Sequence, residues 1–167
     1  MSILDWTPVA RMRRNHALEH ATLQVLAERN PRLMVAGYSD TRGFWIVGNL
    51  STDEVYEAVE QALARLNAGE YRLAIHPNCG TNFAVAGFAA GTVGWLASLN
   101  MGRDWRSRLE RWSIIVPLVT LALILVYPLG SLIQQRITTA PPVGMRVLAI
   151  TRQAQNNLIV HRVLTRG

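Results

Sequence analysis

The run His16-Ala17-Leu18-Glu19-His20 sets two imidazoles four positions apart, with a carboxylate just before the second. On an α-helix, positions i and i+4 stack on one face, so both rings can reach a single ion. The chemistry this H-x-x-E-H spelling allows is metal-assisted hydrolysis. Two histidines hold Zn2+, the metal lowers the pKa of its bound water towards about 7, and the glutamate takes the proton. The plainer alternative is a helix whose histidines hydrogen-bond each other or face a polar interface. Leu18, Ala21 and Val25 fall on the helix side away from the histidines, while Leu23 and Ala27 share the histidine side, so burial is expected on both. Burying two imidazoles without partners is costly, which favours a shared ligand.

A second pair follows in His76-Pro77-Asn78-Cys79-Gly80, where a histidine and the one cysteine lie three residues apart in a Pro/Gly turn. Two ligands at that spacing can converge on one ion, and imidazole with thiolate suits zinc. His16, His20, His76 and Cys79 are therefore the candidate metal ligands, and Glu19 is the candidate general base. Three protein ligands plus water would leave a catalytic position open, whereas four would close a structural site. The simpler reading of His76 is a strand-end residue, and of Cys79 a small core thiol. A metal-free alternative makes Cys79 a nucleophile with a histidine as base, but no oriented triad is marked out. His161, within a basic strand, is most simply structural. A single cysteine excludes an internal disulfide framework.

The elements that must position these residues follow from composition and patterning. The chain has 167 residues, half of them apolar, with 17% charged and a mean hydropathy of +0.14, which excludes a disordered polymer. Residues 1–80 carry 8 Arg against 9 acids, net −1; residues 81–167 carry 9 Arg against 2 acids, net +7; there is no lysine. The basic half also holds the uncharged runs, so its charge is read as flanking a bilayer and no nucleic-acid partner is expected. From Leu73 to Gly102 and from Trp112 to Gln135 there is no Asp, Glu, Lys or Arg. A spanning helix needs about 20 mostly apolar residues, which predicts a transmembrane hairpin over 79–135, with spans at about 82–99 and 113–134. An Arg-rich loop containing Arg103, Arg106, Arg108 and Arg111 would join them. The soluble alternative is a pair of buried core helices. Gly87 and Gly91 form GxxxG, a stripe that would admit a partner helix closely. Pro117 and Pro128 fall inside the second span, where a bilayer tolerates them better than water does.

The remainder reads as α+β. Thr7-Pro8 is expected to open a helix that stops before Pro31. Residues 31–50 pattern as a hairpin, Ser51 with Glu54 forms a capping box opening a second helix, and Gly69 closes it. YRLAIH at 71–76 is expected as a third strand. The result is a small α-β-β-α-β domain over 1–78, followed by the hairpin of spans and a basic C-terminal β-hairpin at 136–167 that turns at Asn156-Asn157. No signal peptide is recognised, so both soluble portions are placed on the cytoplasmic side of a bacterial inner membrane. Anionic lipid headgroups are the expected partners of the Arg-rich loop and tail.

NHALEHAT at 15–22, RGFWIVG at 42–48 and HPNCGTN at 76–82, followed by two apolar runs, resemble an uncharacterised bacterial membrane-protein family. The resemblance spans nearly the whole chain and implies architecture, with no activity attached. HxxEH alone is similar to the inverted zinc proteases of the pitrilysin type, which would make His16 and His20 ligands and Glu19 the base. That group takes its third ligand from a downstream glutamate, whereas here only Glu110 follows Glu70. The third ligand would then be His76 or Cys79. Two functions stay open: a small membrane-anchored zinc hydrolase or peptidase, and a non-enzymatic assembly or binding module whose metal is structural, held for a partner, or absent.

Overall fold

The computed structural model describes residues 3–99, 104–155 and 158–167. Two compact units are present: residues 1–76 with 134–167, and residues 77–133. The first is α+β. It contains α1 (Thr7–Arg29), β1 (Ala36–Asp40), β2 (Gly43–Val47), α2 (Thr52–Asn67), β3 (Arg146–Gln155) and β4 (Leu158–Arg166). The second contains α3 (Gly80–Ser98) and α4 (Trp105–Ile133).

In the first unit the four strands form one antiparallel sheet ordered β1-β2-β4-β3. Phe44, Ile46 and Val163 line one of its faces and are fully buried with Leu18, Ala21 and Val25 of α1 and Val55, Val59 and Leu66 of α2. That helix-on-sheet layering is what two amphipathic helices and one apolar sheet face require. Ala27 is exposed, so burial of the histidine side of α1 stops at its last turn. The Ser51–Glu54 capping box forms as its spelling predicts, and Gly69 beyond the helix end takes φ +96°. Gly43 takes φ +151° in the β1–β2 turn, where any side chain would run into the Val163 carbonyl.

Three expectations are corrected here. The expected third strand at 71–76 is a 3-10 turn over Tyr71–Ala74. The sheet position beside β2 is filled by β4, and the 71–76 backbone is met by side chains of α1. The C-terminal strands are no separate tail, since β4 pairs with β2 in the same sheet. Trp6, not Thr7, caps α1, because the Trp6 carbonyl already accepts from Ala10. Arg103 and the Asn156-Asn157 turn lie outside the described residues.

In the second unit α3 and α4 pack on one another, with Gly94 against Val119 and Asn82 against Gly130. Arg106, Arg108 and Arg111 lie in the first turns of α4, and Arg111 donates to the carbonyls of Ala97 and Leu99. Pro117 and Pro128 both fall inside α4. Residues Trp105–Thr138, α4 with the π-helical turn Gln134–Thr138 that continues it, make the one described helix long and apolar enough to cross a membrane. The 19-residue α3, diluted by Gly, Ala, Thr and Asn, does not meet that measure, so a pair of spans is not established.

Candidate metal centre

Arg13, His16, His20 and Gln24 recur at spacings of three and four, so they form a polar stripe along one side of α1. Each reaches backbone carbonyls. Gln24 Nε2 donates to Leu73 O (3.1 Å) and Ile75 O (2.7 Å), and His20 Nδ1 lies 2.7 Å from Ala74 O. His16 Nδ1 lies 3.1 Å from Thr138 O, while Arg13 Nη2 donates to Arg136 O and Thr139 O at 3.0 Å each. The acceptors belong to the segment before His76 and the segment after Gln134. A short 3-10 turn and a π turn leave carbonyls that the regular α ladder would satisfy. Side chains of α1 take that part.

A carbonyl oxygen only accepts, so Nδ1 is the donor in each contact, and in a neutral ring held this way Nε2 is the nitrogen that can ligate. A metal-ligating histidine is usually oriented in this way, by the other nitrogen's hydrogen bond. The two rings are 4.2 Å apart between centroids, and His76 brings a third ring to 5.6 Å from His20. His20 is buried, and His16 and His76 are half-buried. Two imidazoles held through Nδ1 are donors of the type that suits a zinc ion. His76 is itself fixed by Gln134, fully buried, whose Oε1 accepts from His76 N (2.9 Å) and whose Nε2 donates to His76 O (3.1 Å).

Glu19 takes another direction. It is buried, accepts a hydrogen bond from the Ser39 hydroxyl on β1, and fills the space where a side chain on Gly37 would lie. Cys79 belongs to the second unit, where it caps α3 and its Sγ accepts from Thr81 N (3.5 Å). His161 stands apart in β4, opposite Ile46, fully buried, with neither ring nitrogen hydrogen-bonded among the described residues. Sequence reasoning missed Gln134, Arg13, Gln24 and Ser39. A helical projection could have flagged Arg13 and Gln24, which extend the histidine line on α1; nothing local marks Gln134 or Ser39.

A family model described as a domain of unknown function, DUF6391, matches residues 11–150. The chain is 36% identical over 160 residues to an uncharacterized protein of the cyanobacterium Picosynechococcus sp., covering 85% of this chain and 74% of that protein. No solved structure matches the chain. The family match runs through the HxxEH helix, the β1–β2 hairpin and the apolar helices, and the chain belongs to the DUF6391 family.

Proposed function

We propose that this is a membrane-anchored zinc-binding protein, in which His16 and His20 hold the ion with His76 and Cys79, and that the ion serves assembly or binding. The observation that carries the reading is the pair of Nδ1 contacts to backbone carbonyls, the kind of hydrogen bond that orients a histidine to ligate through Nε2. Cys79 follows His76 by three residues, and a thiolate among imidazoles favours zinc over harder ions. Four such ligands close the shell and make the ion structural. Glu19, engaged by Ser39, then stabilises the fold beside the site. Anchoring is supported by α4, whose apolar side chains, including Leu121, Ile124 and Leu125, are exposed within the chain. The first unit is placed on the cytoplasmic side, with the bilayer and its anionic headgroups as partners.

A zinc hydrolase is the second reading, favoured by the HxxEH spelling. It keeps His16 and His20 as ligands, needs an open fourth position, and requires Glu19 to face the bound water.

Metal content per chain in detergent-purified protein tests both. The expected result is about one zinc in the parent, lost in His16→Ala and in Cys79→Ser and retained in Glu19→Gln. Zinc kept in Cys79→Ser would make the site open and move the conclusion to a hydrolase. No zinc in the parent would end both readings.

A further inference from the structure

We infer that the concave surface between the start of α1, the β1–β2 turn and the end of β4 binds a phosphate group, held by Arg11, Arg42 and Arg166. These three side chains line a cavity of about 350 Å3 whose lining includes no Asp or Glu side chain, the carboxylate of Gly167 being the one acidic group in it. Among the described residues, Arg29, Arg65 and Arg162 have carboxylate partners, and Arg11, Arg42 and Arg166 have none. Asp40 does not neutralise them. Its Oδ1 accepts from the Arg42 backbone N–H (2.7 Å) and from Arg162 Nη2 (2.8 Å).

The floor of the cavity is tied together. Asn15, buried on α1, donates to Asp40 O (2.8 Å) and accepts from the Thr165 hydroxyl (2.6 Å), while Thr165 N donates to Arg42 O (3.0 Å). Arg42 and Arg166 therefore project from backbone pinned to the helix that carries Arg11. Planar guanidinium groups match phosphate oxygens in pairs, which a lysine ammonium does not. Leu148 and Leu164 add an apolar wall, so the phosphate can belong to a phospholipid headgroup or to a soluble phosphate.

The test is thermal unfolding of the full chain in neutral detergent, titrated with inorganic phosphate against chloride at equal ionic strength, and with dihexanoyl phosphatidylglycerol against dihexanoyl phosphatidylcholine. The expected result is a saturable rise in Tm. Arg42→Gln and Arg166→Gln each weaken it about tenfold, and Arg42→Lys recovers part of the loss. A response to both probes assigns the site to phosphate itself, and a response to phosphatidylglycerol alone assigns it to lipid. A response absent for both probes, or unchanged in both glutamine variants, overturns the inference. Far-UV circular dichroism confirms that each exposed-arginine variant remains folded.

Discussion

An imidazole binds metal through the nitrogen that lacks the proton, so the value of His16 and His20 depends on what holds their other nitrogen. The acceptors are Ala74 O and Thr138 O, 54 and 122 residues away along the chain. H-x-x-E-H is legible as a ligand pair because its logic is local to one helical turn. The carbonyls that orient it are not, since their availability depends on turns formed elsewhere. Gln134 is invisible for the same reason, being one amide at the end of an apolar run. Gln134→Leu removes both hydrogen bonds to His76 and leaves that backbone unsatisfied, at a cost of about 1–3 kcal/mol. Chemical denaturation in detergent should show the loss, and a zinc competition assay should show weaker binding as His76 loosens. His161 behaves oppositely. Burial first, and then Arg152 across the ladder, lowers its pKa below the ordinary 6.5. The unfolded chain takes up a proton near 6.5 that the folded chain refuses until lower pH. This contribution is therefore fully present above about 6.5 and is lost as pH falls through the lowered folded value. His161→Leu removes two unpartnered buried nitrogens and should raise the midpoint of thermal unfolding at pH 7. The gain over the parent should widen at pH 5, and a pH-independent difference would refute the assignment.

At the scale of elements, α1 is the organiser of the first unit. One side packs Leu18, Ala21 and Val25 into the core, and the stripe from Arg13 to Gln24 secures residues 73–75 and 136–139. Helix positions were readable from capping and periodicity, as the Ser51–Glu54 box shows. The segment YRLAIH was misread because alternation of apolar residues signals a strand only where a neighbouring strand edge is open. β2 has β1 on one side and β4 on the other, so no edge beside it is left for residues 71–76. The long-range pairing of β2 with β4, with Ile46 opposite His161, has no local signature, and so the tail seemed separable in sequence. The capping box offers a control that perturbs stability away from the stripe. Ser51→Ala should cost about 1 kcal/mol in unfolding free energy while leaving zinc content unchanged. If zinc fell in proportion, metal loss in the histidine variants would report general unfolding and not ligand removal.

At the scale of the whole molecule, the chain leaves the α+β unit after His76 and returns at Gln134, so the residues flanking the helical excursion are the ones the α1 stripe holds. Under the proposed function, an ion on His16, His20 and His76 would hold the end of the 71–76 segment to the helix that organises the sheet. The excursion itself is unbalanced in water. Leu121 is 51% exposed and Leu125 is 67% exposed on a helix with no charged residue between Trp112 and Gln135. A core helix of a soluble protein would bury such side chains, and a bilayer would cover them. Arginine near the middle of a span costs about 2.5–3.5 kcal/mol of insertion free energy. Leu121→Arg should therefore move a large fraction of the protein from the carbonate-resistant membrane pellet into the soluble or aggregated fractions, while Arg106→Gln, near the start of α4, should leave the distribution unchanged. Equal recovery of the parent and Leu121→Arg in the soluble fraction would mean that a protein partner, and not lipid, covers α4.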